Sequence, residues 1–191
     1  MVSTTVVTAP IVAFGPERSA TPFRYAVRNI FPTPKPAVKL DALDLKILDL
    51  LQNDAELSVG EIANRVGLSS TPCWRRIQRL KDEKIITRQV ALLDPHKVQV
   101  GVTVFVSVRT STHTQEWFER FRATVQAIPE VMEFYRMSGD VDYLLRVVVP
   151  DIAAYDKVYK RLTDGTQLHD VSSSFAMEEL KLTTALPLGY V

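Results

Sequence analysis

Residues 58–81, SVGEIANRVGLSSTPCWRRIQRLK, contain the signals of two short helices joined by a tight turn. Ser58 and Glu61 have the spacing of a capping box, in which the hydroxyl and the carboxylate satisfy each other's backbone N–H groups. Gly67 suits the left-handed conformation that ends many helices. Pro72 falls in the first turn of the next helix, where a missing N–H costs little. The pattern predicts a helix-turn-helix.

We place this helix-turn-helix at about residues 59–78, within a first domain that covers residues 40–101. Another helix precedes it, because apolar residues recur at three-to-four spacing at Leu43, Ile47, Leu50 and Leu51. Two short strands are predicted after it, at residues 85–86 and 90–93, and Asp94-Pro95 closes the second. Short helices followed by strands are typical of a winged-helix-like domain.

Residues 102–191 have a different period and form the second predicted domain. Val102, Val104, Val106 and Val108 alternate with other residues, which indicates a strand with one aliphatic face. The other predicted elements are a helix at residues 116–128, strands at 131–137, 143–149 and 171–182, and a helix at 152–162. The order βαββαβ is that of a ferredoxin-like fold. The chain is therefore α+β, and we expect subunit pairing to cover the sheet face that lacks helices.

Residues 1–39 differ from both domains and predict a disordered extension. They contain six prolines and one acid against five bases, and no helical or strand period survives that proline density. Three interpretations compete: a basic arm that touches DNA, an organelle transit peptide, or translated upstream sequence ahead of a true start near Val38. We favour the third, because structure-like sequence begins abruptly at Val38 and a valine codon can serve as a bacterial start.

The composition favours a cytoplasmic protein with no membrane association. Hydrophobic residues make up 46% of the chain, charged residues 24%, and the net charge is +1. Cys73 is the single cysteine, so an intrachain disulfide is impossible. The longest apolar run, residues 102–108, is far shorter than a membrane span, and the first forty residues lack the apolar core of a signal peptide.

The third helix of the first domain has the chemistry of a DNA-reading helix. Arginine can bond bidentately to guanine and glutamine to adenine in the major groove, and small hydroxyl side chains suit phosphate contacts. The predicted DNA-binding residues are Ser69, Ser70, Thr71, Arg75, Arg76, Gln78 and Arg79. Residues 71–88 hold six bases and two acids, a local surplus of four in a chain of net +1. A solvated basic face is the alternative, but the capped preceding helix and the glycine turn favour DNA binding.

Several motifs together resemble the Lrp/AsnC family of feast/famine regulators. They lie at residues 40–54, 67–69, 72–80, 91–95, 138–145 and 177–181, so the resemblance covers Leu40 to about Leu188 in order. It implies a regulator whose first domain binds double-stranded DNA. Its second domain would bind a small effector, usually an amino acid, between subunits, and the chain would form homodimers that often assemble to octamers.

Transferred residue by residue, the resemblance implies an effector site at Gly139, Asp140 and Asp142. Glycine allows close backbone approach, and a carboxylate can pair with an α-ammonium group. The alternative is an ordinary turn, since turns are rich in Gly and Asp. Two positions depart from the family: Glu56 replaces a usual basic residue, and Lys84 replaces a common glycine, where a left-handed backbone would be costly for a side chain.

No catalytic residue, cofactor or metal site is predicted. The three histidines have no metal-like spacing, Cys73 lies on the apolar side of its helix, and no phosphate loop or nucleophile elbow is present. One enzyme alternative remains, because siroheme decarboxylases resemble the same two-domain architecture, although the arginine cluster at residues 75–79 argues against it. A third alternative is an accessory subunit that has lost its DNA contacts. A gel shift with the chain's own upstream region separates these classes.

Overall fold

A computed structural model describes residues 38–164 and 168–190, so the predictions for residues 1–37 lie outside the described part of the chain. The helices are α1 (Ala42–Asn53), α2 (Val59–Val66), α3 (Ser70–Asp82), α4 (Gln115–Gln126) and α5 (Ile152–Thr163). The strands are β1 (Val102–Arg109), β2 (Val131–Arg136), β3 (Tyr143–Val149) and β4 (Asp170–Phe175), and a short 3-10 helix spans Leu188–Tyr190. Within the described ranges, no helix has the length and apolar character needed to cross a membrane.

Helix α2 begins and ends where its local sequence signals predict. Glu61 donates its backbone N–H to Ser58 Oγ at 3.3 Å, and Ser58 donates its own N–H to Glu61 Oε2 at 2.8 Å, which confirms the capping box. Gly67 ends the helix with φ of 75°. Ile62 and Val66 are buried, as are Cys73, Ile77 and Leu80 on α3, so the two helices share one apolar core.

Helix α3 ends in a Schellman motif with a lysine at the position that usually carries glycine. Lys84 has φ of 59°, its N–H donates to the Lys81 carbonyl at 3.0 Å, and the Ile85 N–H donates to the Leu80 carbonyl at 3.0 Å. The lysine thus adopts the left-handed backbone that glycine usually supplies at this position. A side chain in this conformation costs roughly 1–2 kcal/mol, which the surrounding contacts must offset.

The second half of the chain is a four-stranded antiparallel sheet of order β2-β3-β1-β4, which confirms the ferredoxin-like βαββαβ fold. Both helices cover one face, because the alternate valines of β1 are buried there together with Leu145, Val147 and Val149 of β3. An aromatic cluster fills the centre of this core, where the Phe121 ring of α4 lies 5.4 Å from the Tyr143 ring. Burial of this apolar face is the main stabilising contribution of the domain.

The opposite sheet face is partly polar and carries no helix within the described residues. Arg146 contacts Glu133 Oε1 at 2.7 Å, and the Tyr135 hydroxyl donates to Glu133 Oε2 at 2.9 Å. The hydrogen bond from Arg146 lowers the pKa of Glu133, whereas the bond to Glu133 raises the pKa of Tyr135. Phe105 stands beside this network and is 40% exposed.

Three predicted strand segments are wrong. Residues 85–86 and 90–93 form no strand, and β4 ends at Phe175 instead of continuing to Leu182. Within the described ranges, these segments lack an adjacent strand with which their backbone groups could form hydrogen bonds. Strands β1 and β4 are antiparallel, and their register places Phe175 beside Val104. The Ala176 N–H donates to the Thr103 carbonyl at 2.9 Å, so β4 ends opposite the first residues of β1. Residues 176–182 have no adjacent strand in the described chain, and four of them, Ala176, Glu178, Glu179 and Lys181, are of types that strands disfavour.

Candidate nucleic-acid interface and effector loop

Helix α3 presents its N-terminal residues and one polar side to solvent. Ser69, Ser70, Thr71 and Arg75 are all exposed. The Ser69 side chain makes no capping hydrogen bond, although its backbone has the extended conformation of a cap residue. The first N–H groups of a helix and its positive dipole end form a favourable place for a phosphate. The structure thus brings the predicted phosphate-binding residues to one exposed helix end.

A buried carboxylate on α1 holds two arginines of α3. Asp44 Oδ1 lies 2.7 Å from Arg76 Nη1, and Asp44 Oδ2 accepts a second bond from Arg79 Nη2. The Asp44 side chain is 1% exposed, while those of Arg76 and Arg79 are 26% and 42% exposed. Two charge-assisted bonds therefore fix the orientation of α3 against α1.

The ion pairs with Asp44 separate the predicted DNA-binding arginines into two groups. Arg75 makes no ion pair within the described ranges, whereas Arg76 and Arg79 each have a carboxylate partner inside the protein. Either arginine would have to share or leave Asp44 to contact a base. The sequence reading missed Asp44, although a signal was present: Asp44 shares its helix face with Ile47, Leu48 and Leu51, and an acid on an apolar stripe needs a buried partner.

The other reactive groups near α3 have structural roles. Cys73 is fully buried between the helices, and burial raises the pKa of its thiol. A raised pKa keeps the sulfur protonated and poorly nucleophilic. Among the described residues, no three His, Cys, Asp or Glu side chains are grouped so that they could hold a metal ion.

The predicted effector residues lie together in the loop between β2 and β3. Gly139 has φ of 122°, a conformation that favours glycine, and Asp140 is exposed. The carboxylate of Asp142 accepts the N–H of the buried Thr110 at 2.8 Å, and the Asp142 N–H donates to the Val108 carbonyl at 3.1 Å. Asp142 therefore ties the loop to the end of β1. Contact with an effector stays a prediction for all three residues.

The C-terminal segment contacts α1 of the first domain. The side-chain amide of Gln52, near the end of α1, donates from Nε2 to the Leu186 carbonyl at 3.0 Å. Its Oε1 accepts the Leu186 N–H at 2.8 Å. The amide thus pairs with both backbone groups of one residue, as a neighbouring strand would. These two bonds join residues that are 134 positions apart.

Comparison with known protein families gives two matches that follow each other along the chain. Residues 40–81 match the AsnC-type helix-turn-helix domain. Residues 103–186 match the Lrp/AsnC ligand binding domain. The first match contains α1, α2 and nearly all of α3, and the second contains the sheet, its helices and Leu186.

Similar proteins have been characterised and their structures solved. The chain is 50% identical over 150 residues to the DNA-binding transcriptional activator DecR of Escherichia coli K12, covering 78% of this chain and 99% of that protein. An AsnC family transcriptional regulator from Agrobacterium tumefaciens has 62% identity and a TM-score of 0.77, with coverage of 79% and 99%. A transcriptional regulator from Neisseria meningitidis, crystallised as a complex with L-Met, has 37% identity and a TM-score of 0.76, with coverage of 80% and 99%.

Proposed function

Because this chain belongs to the Lrp/AsnC family of DNA-binding transcription regulators, we propose that it reads promoter DNA through α3 and responds to an amino acid bound near the β2–β3 loop. The chain is a regulator and not an enzyme, as its relatives are transcriptional regulators. A regulator acts where the DNA is, so the proposed location is the cytoplasm. The observation that carries the proposal is a basic, exposed helix joined in one chain to a ligand-binding domain.

Two copies of α3 would read two half-sites. Symmetric dimers bind two half-sites one helical turn apart on one face of the duplex. The proposed contacts are Arg75 and Gln78 to base edges and Ser69, Ser70 and Thr71 to phosphates, with Arg76 and Arg79 contributing after exchange with Asp44. The sheet face with the exposed Phe105 ring supports the dimer, because association would cover it. Assembly of dimers to octamers is the proposed larger state.

The proposed effector is an amino acid, and its contact is the loop at Gly139–Asp142. A related regulator binds L-Met, and the carboxylates of Asp140 and Asp142 offer a charge partner for an α-ammonium group. The effector would act by binding two assemblies unequally, which changes the spacing of the α3 helices. That unequal binding is the requirement for allostery.

Binding to the upstream region of the chain's own gene, measured by fluorescence anisotropy with each of the twenty amino acids, tests the proposal. We expect binding that weakens steeply with salt, because basic residues displace counterions from the duplex. We also expect at least one amino acid to change the affinity and the assembly size seen by light scattering. Failure to bind any promoter fragment contradicts the proposed DNA binding. If no amino acid changes the DNA affinity or the assembly size, the proposed effector response is contradicted.

Asp142→Asn separates effector contact from loop support. Asparagine keeps an oxygen that can accept the Thr110 N–H but removes the negative charge. If Asp142 pairs with an α-ammonium group, amino-acid affinity measured by calorimetry falls about tenfold or more, while the fold is retained. Asp156→Asn, at an exposed acid of α5, serves as the control and leaves affinity unchanged. If Asp142→Asn and Asp156→Asn bind the amino acid with equal affinity, Asp142 supports the turn without touching the effector.

Gln52→Ala tests whether the C-terminal segment transmits the effector signal. The variant loses both hydrogen bonds to Leu186, which costs roughly 1 kcal/mol locally. We expect the variant to keep the wild-type affinity for DNA without effector and the wild-type affinity for the effector. The change in DNA affinity that the effector causes should become smaller. Asn53→Ala is the matched control, because the Asn53 amide bonds to the Asp49 carbonyl inside the same helix. A full effector response in Gln52→Ala would exclude this route.

A further inference from the structure

The indole of Trp74 is an exposed aromatic group on the helix proposed to enter the major groove. Trp74 is 51% exposed, whereas Trp117, the second tryptophan of the chain, is 4% exposed in the core of the other domain. Leaving a large apolar ring in water is unfavourable in proportion to the area exposed. Trp74 differs from the other exposed large apolar residues of the described chain because it lies on α3, where contact with DNA would cover the ring.

Trp74 lies on the flank of α3 that the ion pairs leave open. At 3.6 residues per turn, Cys73, Ile77 and Leu80 form the buried side of the helix. Arg76 and Arg79 occupy the flank held to α1 by Asp44. Trp74 projects from the opposite flank, one turn from Gln78 and next to Arg75 in the chain. The open flank thus combines an aromatic ring, an amide and a guanidinium group.

We propose that Trp74 is a specificity-determining residue that contacts the 5-methyl group of a thymine in the major groove, beside the base pair read by Arg75. The inference rests on the proposed reading role of α3. Thymine is the base that presents a methyl group in this groove, and apolar side chains recognise it by contact. Indole has one donor and no acceptor, so it cannot read a purine through paired hydrogen bonds. The local surplus of four positive charges at residues 71–88 keeps the ring close to DNA.

Deoxyuridine substitution tests the contact, because it removes the methyl group and leaves the pairing edge intact. Thymines in the bound fragment from the chain's own upstream region are replaced one position at a time. For the wild type we expect one position per half-site to weaken binding about fourfold, the loss of one buried methyl group. Trp74→Ala should bind the thymine fragment more weakly and show no further loss at that position.

Three controls separate this contact from others. Trp74→Phe keeps an aromatic face but lacks the N–H, so it should retain most of the thymine preference. A Trp74→Phe variant that binds thymine and deoxyuridine DNA with equal affinity has lost the preference although it keeps the aromatic face, and this result overturns the proposal. Ile152→Ala truncates another exposed apolar side chain, on α5. This variant should bind thymine DNA and deoxyuridine DNA with the wild-type affinities. Circular dichroism and light scattering confirm that each variant keeps its fold and its assembly size.

The outcomes distinguish the two hypotheses. If the wild type binds no fragment, the proposed function fails and the Trp74 contact is overturned with it. If the wild type binds equally well with thymine and deoxyuridine at every position, DNA binding stands and the Trp74 contact is overturned. It is also overturned if Trp74→Ala retains the wild-type loss at the sensitive position, since some other residue then reads the methyl group.

Discussion

Replacing both Arg76 and Arg79 with leucine is expected to lower the free energy of unfolding of the helix-turn-helix by about 3 kcal/mol. The double variant removes both arginine partners of Asp44, whose side chain is 1% exposed. Removing the charged partners of a buried carboxylate costs roughly 3–5 kcal/mol, and we take the lower end because both arginines are partly exposed to water. Urea unfolding of the full chain, followed by circular dichroism, measures the loss.

A third substitution identifies the cause of that loss. Adding Asp44→Leu to the double variant removes the buried carboxylate that has lost both arginines, so most of the lost stability should return, as an apolar cluster can replace a buried ion pair. Arg75→Leu is the matched control, because Arg75 is exposed and makes no ion pair among the described residues; a change within about 0.5 kcal/mol is expected. A double variant as stable as this control would show that Asp44 does not depend on the two arginines.

Replacing Arg75 with alanine is expected to weaken binding to the specific site by about 1–3 kcal/mol, or about 5- to 150-fold. The reason is the loss of a bidentate contact to a base, while stability in urea stays unchanged. Affinities for the promoter fragment and for a scrambled fragment of equal length are measured together. The ratio of the two should fall, because a base contact contributes to specificity and a phosphate contact does not.

Two further variants test that distinction. Arg75→Lys keeps the charge but loses the planar fork, so it should keep the salt dependence of binding and lose the preference for the promoter. Lys81→Ala should weaken both fragments alike and reduce the salt slope by about one, if Lys81 contacts a phosphate. Should Arg75→Ala leave the promoter preference intact, the base-reading role would have to pass to another residue of α3.

Taken together, these two predictions assign different tasks to three arginines of one helix. Arg76 and Arg79 are bound to Asp44 in the protein, and Arg75 projects to solvent. The polar face of α3, which indicates DNA contact at the level of sequence, thus contains two arginines with a structural partner and one that is exposed. Arg79 remains a predicted DNA-binding residue, but its contact would compete with a charge-assisted bond inside the protein.

Much of the fold could be predicted because its signals are local. The capping box joins residues three positions apart, the Gly67 turn needs one left-handed residue, and the valines of β1 alternate along a single strand. Each of these signals depends on backbone geometry within a turn or a strand. At Lys84 the sequence indicated only that a left-handed backbone would be costly, and the structure shows that the residue adopts it, with φ of 59°.

The predicted strands failed where pairing had to come from elsewhere. Residues 90–93 are apolar and residues 176–182 follow directly after β4, but a strand forms only when a neighbour supplies hydrogen bonds, and composition does not reveal the neighbour. The same limit applies to the candidate site. Effector contact at Gly139, Asp140 and Asp142 is implied by the family resemblance and stays a prediction, whereas the bond from Thr110 to Asp142 depends on how β1 meets the loop.

The sequence alone was therefore sufficient for the helix-turn-helix, its limits and the basic character of α3, because these properties arise between residues a few positions apart. Tertiary structure was needed to bring Asp44 to Arg76 and Arg79, across 32 and 35 positions, and Gln52 to Leu186, across 134. Periodic patterns reveal which side of an element is buried, but they do not identify the partner on the other element. That pairing separates Arg76 and Arg79, which hold α3 against α1, from Arg75, which projects to solvent.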